Sequence, residues 1–207
     1  MTNVGDAFAF AFRDPGWPGK IIIQALITII PIVGWIATAG WMMMTFDNIR
    51  NGRQELPQAG FHLERGIGIF GVALIYGIVL HLPGGILNSV GAAAGSHNAL
   101  LGSPFSGLGA LLNIAAQLLL DFLIPALIVM THHYGFGGGL DIGRVWSLAT
   151  RNLNNSIVAG VLIFVSGWIA IAGLIGCCIG VFLTIAYAAT LNAGVAAWFE
   201  RAQSQPA

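Results

Sequence analysis

Apolar residues along this chain run in long unbroken stretches, without the alternation of strands or the narrow stripe of a soluble helix. No Asp, Glu, Lys or Arg occurs in residues 21–46, 66–120, 122–140 or 152–199. A run of roughly 18 apolar residues already suffices to cross a bilayer as a helix, so the pattern predicts several membrane segments. Chain breakers divide these windows. One helix over residues 20–50 would reach about 45 Å, against a hydrocarbon core of about 30 Å. Pro31 and Gly34 offer a place to fold it back, because Pro lacks a donor and clashes with the preceding turn. Residues 20–50 are therefore expected to form a hairpin with arms of about 22 Å, short or re-entrant, whose tip backbone needs protein partners. Residues 66–87 then run outward and 107–130 return. Between them residues 88–106, rich in Gly, Ser, Asn and Ala, are expected to form one external loop. A second hairpin occupies residues 155–199, with Gly176 and Gly180 at its tip. Sliding the two tips together pairs Gly34 with Gly180, Thr38 with Thr184 and Trp41 with Tyr187 at one constant offset, which hints at related hairpins around a two-span middle.

Two further stretches read as interfacial. In residues 141–152, Ile142, Val145, Trp146 and Ala149 recur at helical spacing while Arg144 and Arg151 face elsewhere, the pattern of an amphipathic helix lying in the headgroup plane. Residues 1–19 carry Phe8 and Phe12 on one helical face, with Trp17 at headgroup depth. Arg13 and Asp14, ahead of Pro15, are expected to pair or to cap the entering helix. The fold class that follows is all-α: a polytopic transmembrane helical bundle of about six membrane segments, with residues 1–207 as a single integral membrane domain.

Composition sharpens this. Only sixteen of the 207 residues are charged, against 57% apolar and 29 glycines, far from the quarter charged that soluble domains carry. Eight basic residues balance eight acidic ones, so no net field gathers nucleic acid. Basic residues near membrane segments mark the cytoplasmic side. They cluster at Arg13 and Lys20, at Arg50, Arg53 and Arg65, at Arg144 and Arg151, and at Arg201, which places both termini in the cytoplasm. The first twelve residues lack the basic start and apolar run of a secretory signal, so the N-terminus is expected to be retained. Cys177 and Cys178 are adjacent, which makes a mutual disulfide strained and leaves no spaced ligand pairs for a metal cage.

Candidate chemistry sits inside the spans. Asn113, Gln117 and Asp121 fall at successive fourth positions, with His132 further along the same sector. An ionisable residue at bilayer depth is functional by default, and His81, at a compatible depth, is its expected partner. The pair could relay protons or hold a polar ligand; the plainer reading is polar glue between helices. Gly77, four residues before His81, leaves room for a flat tetrapyrrole pigment bound through the imidazole, or for close packing with Ala73. Gly160, Gly167 and Gly173 suggest further helix-packing faces. His132 and His133 point about 100° apart on a helix, unsuited to chelating one metal. No hydrolase, metalloprotease or phosphate-loop motif is present, and no nucleophile with a positioned base can be named, so an enzyme is not expected.

Residues 12–15 (Phe-Arg-Asp-Pro), Trp17, residues 30–34 (Ile-Pro-Ile-Val-Gly), residues 48–51, Leu56-Pro57 and residues 177–184 with Tyr187-Ala188 resemble a multi-pass prokaryotic membrane family, the domain of unknown function 4013 family. The sequence departs after Pro57, where that family often carries a tryptophan and paired acids. The resemblance implies a prokaryotic cytoplasmic membrane and no established activity, cofactor or substrate. The expected role is a non-enzymatic subunit or scaffold that meets the lipid bilayer and a membrane-protein partner or second copy, with no cofactor required. Alternatives are a small permease or lipid-handling protein using Asp121 and His81, and a pigment-binding accessory with His81 as axial ligand.

Overall fold

The structure, a computed structural model, describes residues 5–97 and 99–204, and the side chains of all of these except residues 97 and 176–179. Every regular element among them is helical: α1 (Asp6–Ala9), α2 (Trp17–Thr28), α3 (Val33–Arg50), α4 (Leu63–His97), α5 (Ala99–Leu140), α6 (Ile142–Thr150), α7 (Leu153–Ala172) and α8 (Cys177–Ser204), with short 3-10 turns at Ala11–Arg13 and Gly173–Gly176. Four stretches are long and apolar enough to cross a membrane: Leu63–Ser96, Ala99–Leu140, Leu153–Ile175 and Gly180–Ser204. Their outward side chains, Ile67, Ile78, Leu111 and Trp168 among them, are exposed and apolar, as a lipid solvent requires. The chain is a multi-pass membrane protein of the helical-bundle class.

The chain divides into two compact units, one of residues 1–72 with 122–207 and one of residues 73–121. In the first, α8 is the centre and packs against α7, α3, α2 and α1. Its inner face is small, with Ala186, Ala193, Ala196 and Ala197 fully buried, so neighbouring backbones approach closely. Ala7 of α1 fills the space left by the missing side chain of Gly194. The N-terminal stretch is thus docked on protein through Ala7, Phe10 and Ala11, whereas its hydrophobic pattern alone suggests a lipid seat.

Pro18 opens α2, where a missing donor costs nothing. Local bonds shape the α2–α3 turn: Ile30 N–H reaches Ile27 O, Val33 N–H reaches Pro31 O at 2.7 Å, and Gly34 N–H reaches Ile30 O. Ile32 carries the turn at φ 64° and ψ −61°, a γ-turn conformation that strains a β-branched residue. Gly34 starts α3 directly against the backbone of Ile27, and Gly180 starts its contact against the backbone of Gly173. Thr38 accepts from Gln24, and Thr184 donates to Ala170 O. Trp41 Nε1 donates to Pro57 O, and Tyr187 Oη to Phe8 O.

Two expected boundaries change. The stretch expected as an external loop, residues 88–106, is helical on both sides of residue 98, so α4 has 35 residues and α5 has 42. In the second unit Gly84 faces Asn113, Asn88 faces Gly109, Gly91 faces Ser106 and Gly95 faces Gly102. These small residues are the contact face of an antiparallel helix pair, which is why a loop-like composition folds as helix. The glycine-rich residues 135–139 likewise stay in α5, which kinks where Gly135 takes φ 68°. A helix stands where one was expected over residues 141–152, as α6, capped by the Asp141 side chain. It buries Val145 and Ala149 and turns Ile142 and Trp146 outward.

Candidate functional site

The polar stripe on α5 is brought together only in part. Asp121 is buried at 5% exposure, Asn113 is half-buried, and Gln117 is exposed. Gln117 Nε2 donates to Asp121 Oδ1 at 2.9 Å, while Asp121 Oδ2 and Asn113 Oδ1 are buried without a hydrogen bond. His81 makes no hydrogen bond to Asp121. Its Nδ1 is taken by the carbonyl of Gly77, 2.9 Å away on its own helix. Because a carbonyl only accepts, Nδ1 is the donor in this bond. The expected direct Asp121–His81 pair is thus replaced by a Gln117–Asp121 pair with His81 alongside.

Within the chain, among the described residues, nothing lies within 4 Å of a side chain built on Gly77 or Gly167. Ala73 is half-buried. Gly160 and Gly173 are buried, and Gly173 meets the Thr184 hydroxyl and the Gly180 carbonyl. Of the hairpin tips, Pro31 is exposed and Gly34 buried. Gly176 closes a 3-10 turn, and the side chains of Cys177 and Cys178 lie outside the described residues.

His132 leaves the Asp121 sector altogether. Its Nε2 donates to Asp47 Oδ1 at 2.5 Å, and Arg65 grips the other oxygen of Asp47. Next to it, His133 Nε2 donates to Glu200 Oε1 at 2.6 Å, and Arg50 Nε reaches Glu200 Oε2 at 2.7 Å. The two imidazoles stand edge to face, 5.2 Å apart, and His132 also meets the edge of Phe46 at 5.0 Å. Two carboxylate–imidazole pairs, each with its own arginine, thereby tie together the ends of α3, α5 and α8 and the start of α4. Arg201 adds a bond to Ile49 O at 3.1 Å. Individually such part-exposed pairs stabilise by only about 0.2–1 kcal/mol; their joint effect is to fix register. This network was not seen in the sequence, because Asp47, Arg50, Arg65 and Glu200 lie at the edges of charge-free windows and read as topology markers.

Two pockets open on it and share Arg65 and His132. One, of about 510 Å³, is lined by Met44, Asp47, Asn48, Asn51 and Arg53 besides these two. The other, of about 410 Å³, adds Met43, Ile67, Gly68 and Phe136 with Glu64 and Thr131.

The interfacial residues form a third cluster. Arg13 pairs with Asp6 at 2.5 Å, not with Asp14. Asp14, 3% exposed, accepts from Lys20 Nζ at 2.7 Å, from Gly16 N at 2.7 Å and from Leu56 N at 2.8 Å. Lys20 also donates to Leu56 O at 2.6 Å. Burial works against the Asp14 charge, but the Lys20 bond, the two backbone donors and the Lys20 charge outweigh it and hold its pKa below the ordinary value. Trp17 stacks edge-on against Phe12 at 4.9 Å. Arg144 pairs with Asp141 at 2.9 Å and lies over the Tyr134 ring; Trp146 meets Phe122 edge-on, and Arg151 is exposed. No group of three metal-ligating side chains occurs among the described residues.

Residues 30–34, 48–51 and 56–57 are among the segments that carry the resemblance noted above. The family model described as protein of unknown function (DUF4013) matches residues 23–181. The chain belongs to the DUF4013 family. The matched region takes in the α2–α3 turn, the Asp47–His132 pair and both long spans of the middle; residues 12–17 and Tyr187 lie beyond it. No curated protein and no solved structure matches the chain.

Proposed function

We propose that this DUF4013 protein is a non-enzymatic subunit of a larger membrane assembly, receiving a partner helix or a second copy along the outer face of α4. One observation carries the reading. The chain uses one small-residue face of α4, Gly84, Gly91 and Gly95, to seat α5. A neighbouring face repeats the device at Ala73, Gly77 and Gly85, with nothing among the described residues within 4 Å of a side chain built on Gly77 or Gly85. Close approach of small residues is the main source of helix association in lipid, where apolar surface alone gives no drive. Gln117, exposed on a membrane-spanning helix, adds a polar group that favours cover by protein over lipid. Gentle extraction followed by mass measurement is expected to give a defined assembly that G77L and G85L reduce to the single chain. A wild-type chain that emerges alone from native membrane at full function would sink the reading.

The proposed setting is the cytoplasmic membrane of a prokaryote, with both termini cytoplasmic and six membrane segments, the first hairpin re-entrant. The apolar exposed tip at Ile29, Ile30, Ile32 and Trp35 supports insertion. The 12 residues of α2 reach only about 18 Å, which supports a partial entry.

The buried, unpartnered oxygen of Asp121 favours a second reading, a permease or lipid-handling role in which Asp121 and His81 bind a polar group at membrane depth. Solute flux in proteoliposomes lost in D121N with folding intact supports it; flux equal to wild type removes it.

A further inference from the structure

The two pockets beside the Asp47–His132 pair form an amphiphilic groove, and their linings differ in a useful way. The larger is polar. It holds the guanidiniums of Arg53 and Arg65 against one carboxylate, Asp47, together with the amides of Asn48 and Asn51. Arg65 is already engaged with Asp47, but Arg53 is exposed and has no ion-pair partner among the described residues. Its position is set by the end of α3. Gly52 takes φ 74°, Gly52 N–H returns to Ile49 O, and Arg53 N–H returns to Asn48 O at 2.8 Å. That closure turns Arg53 back over the last helical turn. It also occupies the terminal carbonyls: Asp47 O accepts from Asn51 N–H and Ile49 O from Arg201 as well. The negative end of the helix is thereby quenched where it would otherwise repel an anion. Asn48 spends one amide proton on Glu55 O and keeps a second.

The smaller pocket continues past Arg65 and His132 onto Met43, Ile67, Gly68 and Phe136, with Glu64 at its side. Ile67 and Phe136 are exposed apolar residues at the start of one candidate span and near the end of another. The positive-φ break at Gly135 lines this pocket.

We infer that the groove is a phosphate-group site: Arg53 and Arg65 bind the phosphate, Asn48 and Asn51 donate to its remaining oxygens, and the apolar pocket accepts any attached chain. Planar guanidiniums grip phosphate oxygens in pairs, which one ammonium cannot do. A phosphate from an anionic membrane lipid and free phosphate present the same head to these residues, and the apolar pocket makes the two sources separable.

The test uses the full-length protein in detergent, with dioctanoyl phosphatidylglycerol, inorganic phosphate and dioctanoylglycerol as probes, read by native mass spectrometry and titration calorimetry. Saturable binding of a phosphate-bearing probe, weakened about tenfold or more in R53Q, is the expected result. R53Q breaks no intrachain bond of the side chain, so its fold, checked by circular dichroism, stays wild type. A phosphatidylglycerol affinity well above that of inorganic phosphate assigns the head to a lipid; equal affinities assign it to free phosphate. Binding of neither, equal binding of dioctanoylglycerol, or an R53Q protein indistinguishable from wild type overturns the inference.

Discussion

Asp14 joins three separate stretches through one carboxylate: its own turn at Gly16, the side chain of Lys20 and the backbone of Leu56. D14N leaves the Lys20 charge, with its side chain only 16% exposed, without a partner. The expected loss at pH 7 is about 3 kcal/mol, the range for breaking a mostly buried pair. R13A should cost less than about 1 kcal/mol, because its bond to Asp6 is more open to water. The sign of the pH effect follows from the lowered pKa of Asp14. Its contribution is fully present above the unfolded carboxylate value and is lost as pH falls through the folded value, so the gap between wild type and D14N closes below about pH 4. Thermal unfolding of both proteins in detergent at pH 7 and at successively lower pH below 4 measures it; a gap that does not narrow as the pH falls refutes the assignment. At this scale the sequence marks the residues but not their partners. Arg13, Asp14 and Lys20 are visible as the few charges near a membrane entry, yet Leu56 lies 42 positions from Asp14 and only folding brings it there. His132 shows the same limit. Helical spacing aligns it with Asp121, whereas Asp47, 85 positions away, is the side chain that holds it.

Glycines in α4 and α5 play opposite parts on neighbouring faces, and composition alone does not separate them. A side chain at Gly91 would lie 2.7 Å from Ser106 N and 3.0 Å from Gly102 O, so the backbones must part. G91A is expected to destabilise the helix pair by about 1–3 kcal/mol. G77A meets nothing within 4 Å and should be neutral or stabilise by up to about 1 kcal/mol through helix propensity. Paired cysteines at positions 87 and 110 would report this as lost cross-linking in G91A and unchanged cross-linking in G77A; equal behaviour of the two variants would contradict the face assignment. Gly, Ser and Asn suggest a loop between residues 88 and 106 because in water they weaken helices. In lipid the unpaired backbone of a loop is far more costly than poor propensity, and the mirrored spacing 84, 88, 91, 95 against 102, 106, 109, 113 is the signal that identifies a packed pair. The helices of the last charge-free window are more legible, α7 and α8 falling close to the expected bounds, because long charge-free windows with one small-residue break admit few alternatives.

Within the larger unit a few polar side chains bond to groups far along the chain. Lys20 reaches Leu56 O, Arg50 reaches Glu200, Arg201 reaches Ile49 O, and Gln203 reaches Asn152 O at 3.4 Å. The sequence carries this arrangement as charge alone: basic residues collect on one side of a membrane, and a bundle that gathers them at one end presents that end to one aqueous phase. Six segments do not follow from charge, since four stretches meet the length and hydropathy of a span and α2 with α3 is the open case. Single-cysteine labelling with a membrane-impermeant reagent, after both native cysteines are replaced by serine, decides it. N51C, G143C and S204C are expected to react from one face, and S96C and I175C from the other. I32C at the strained tip is expected to react from neither, because a 12-residue α2 stops short of the far headgroups. Labelling of I32C together with S96C would make the first hairpin a true pair of spans. Labelling of N51C and S204C from opposite faces would break the common basic end, and with it the assignment of both termini to one side.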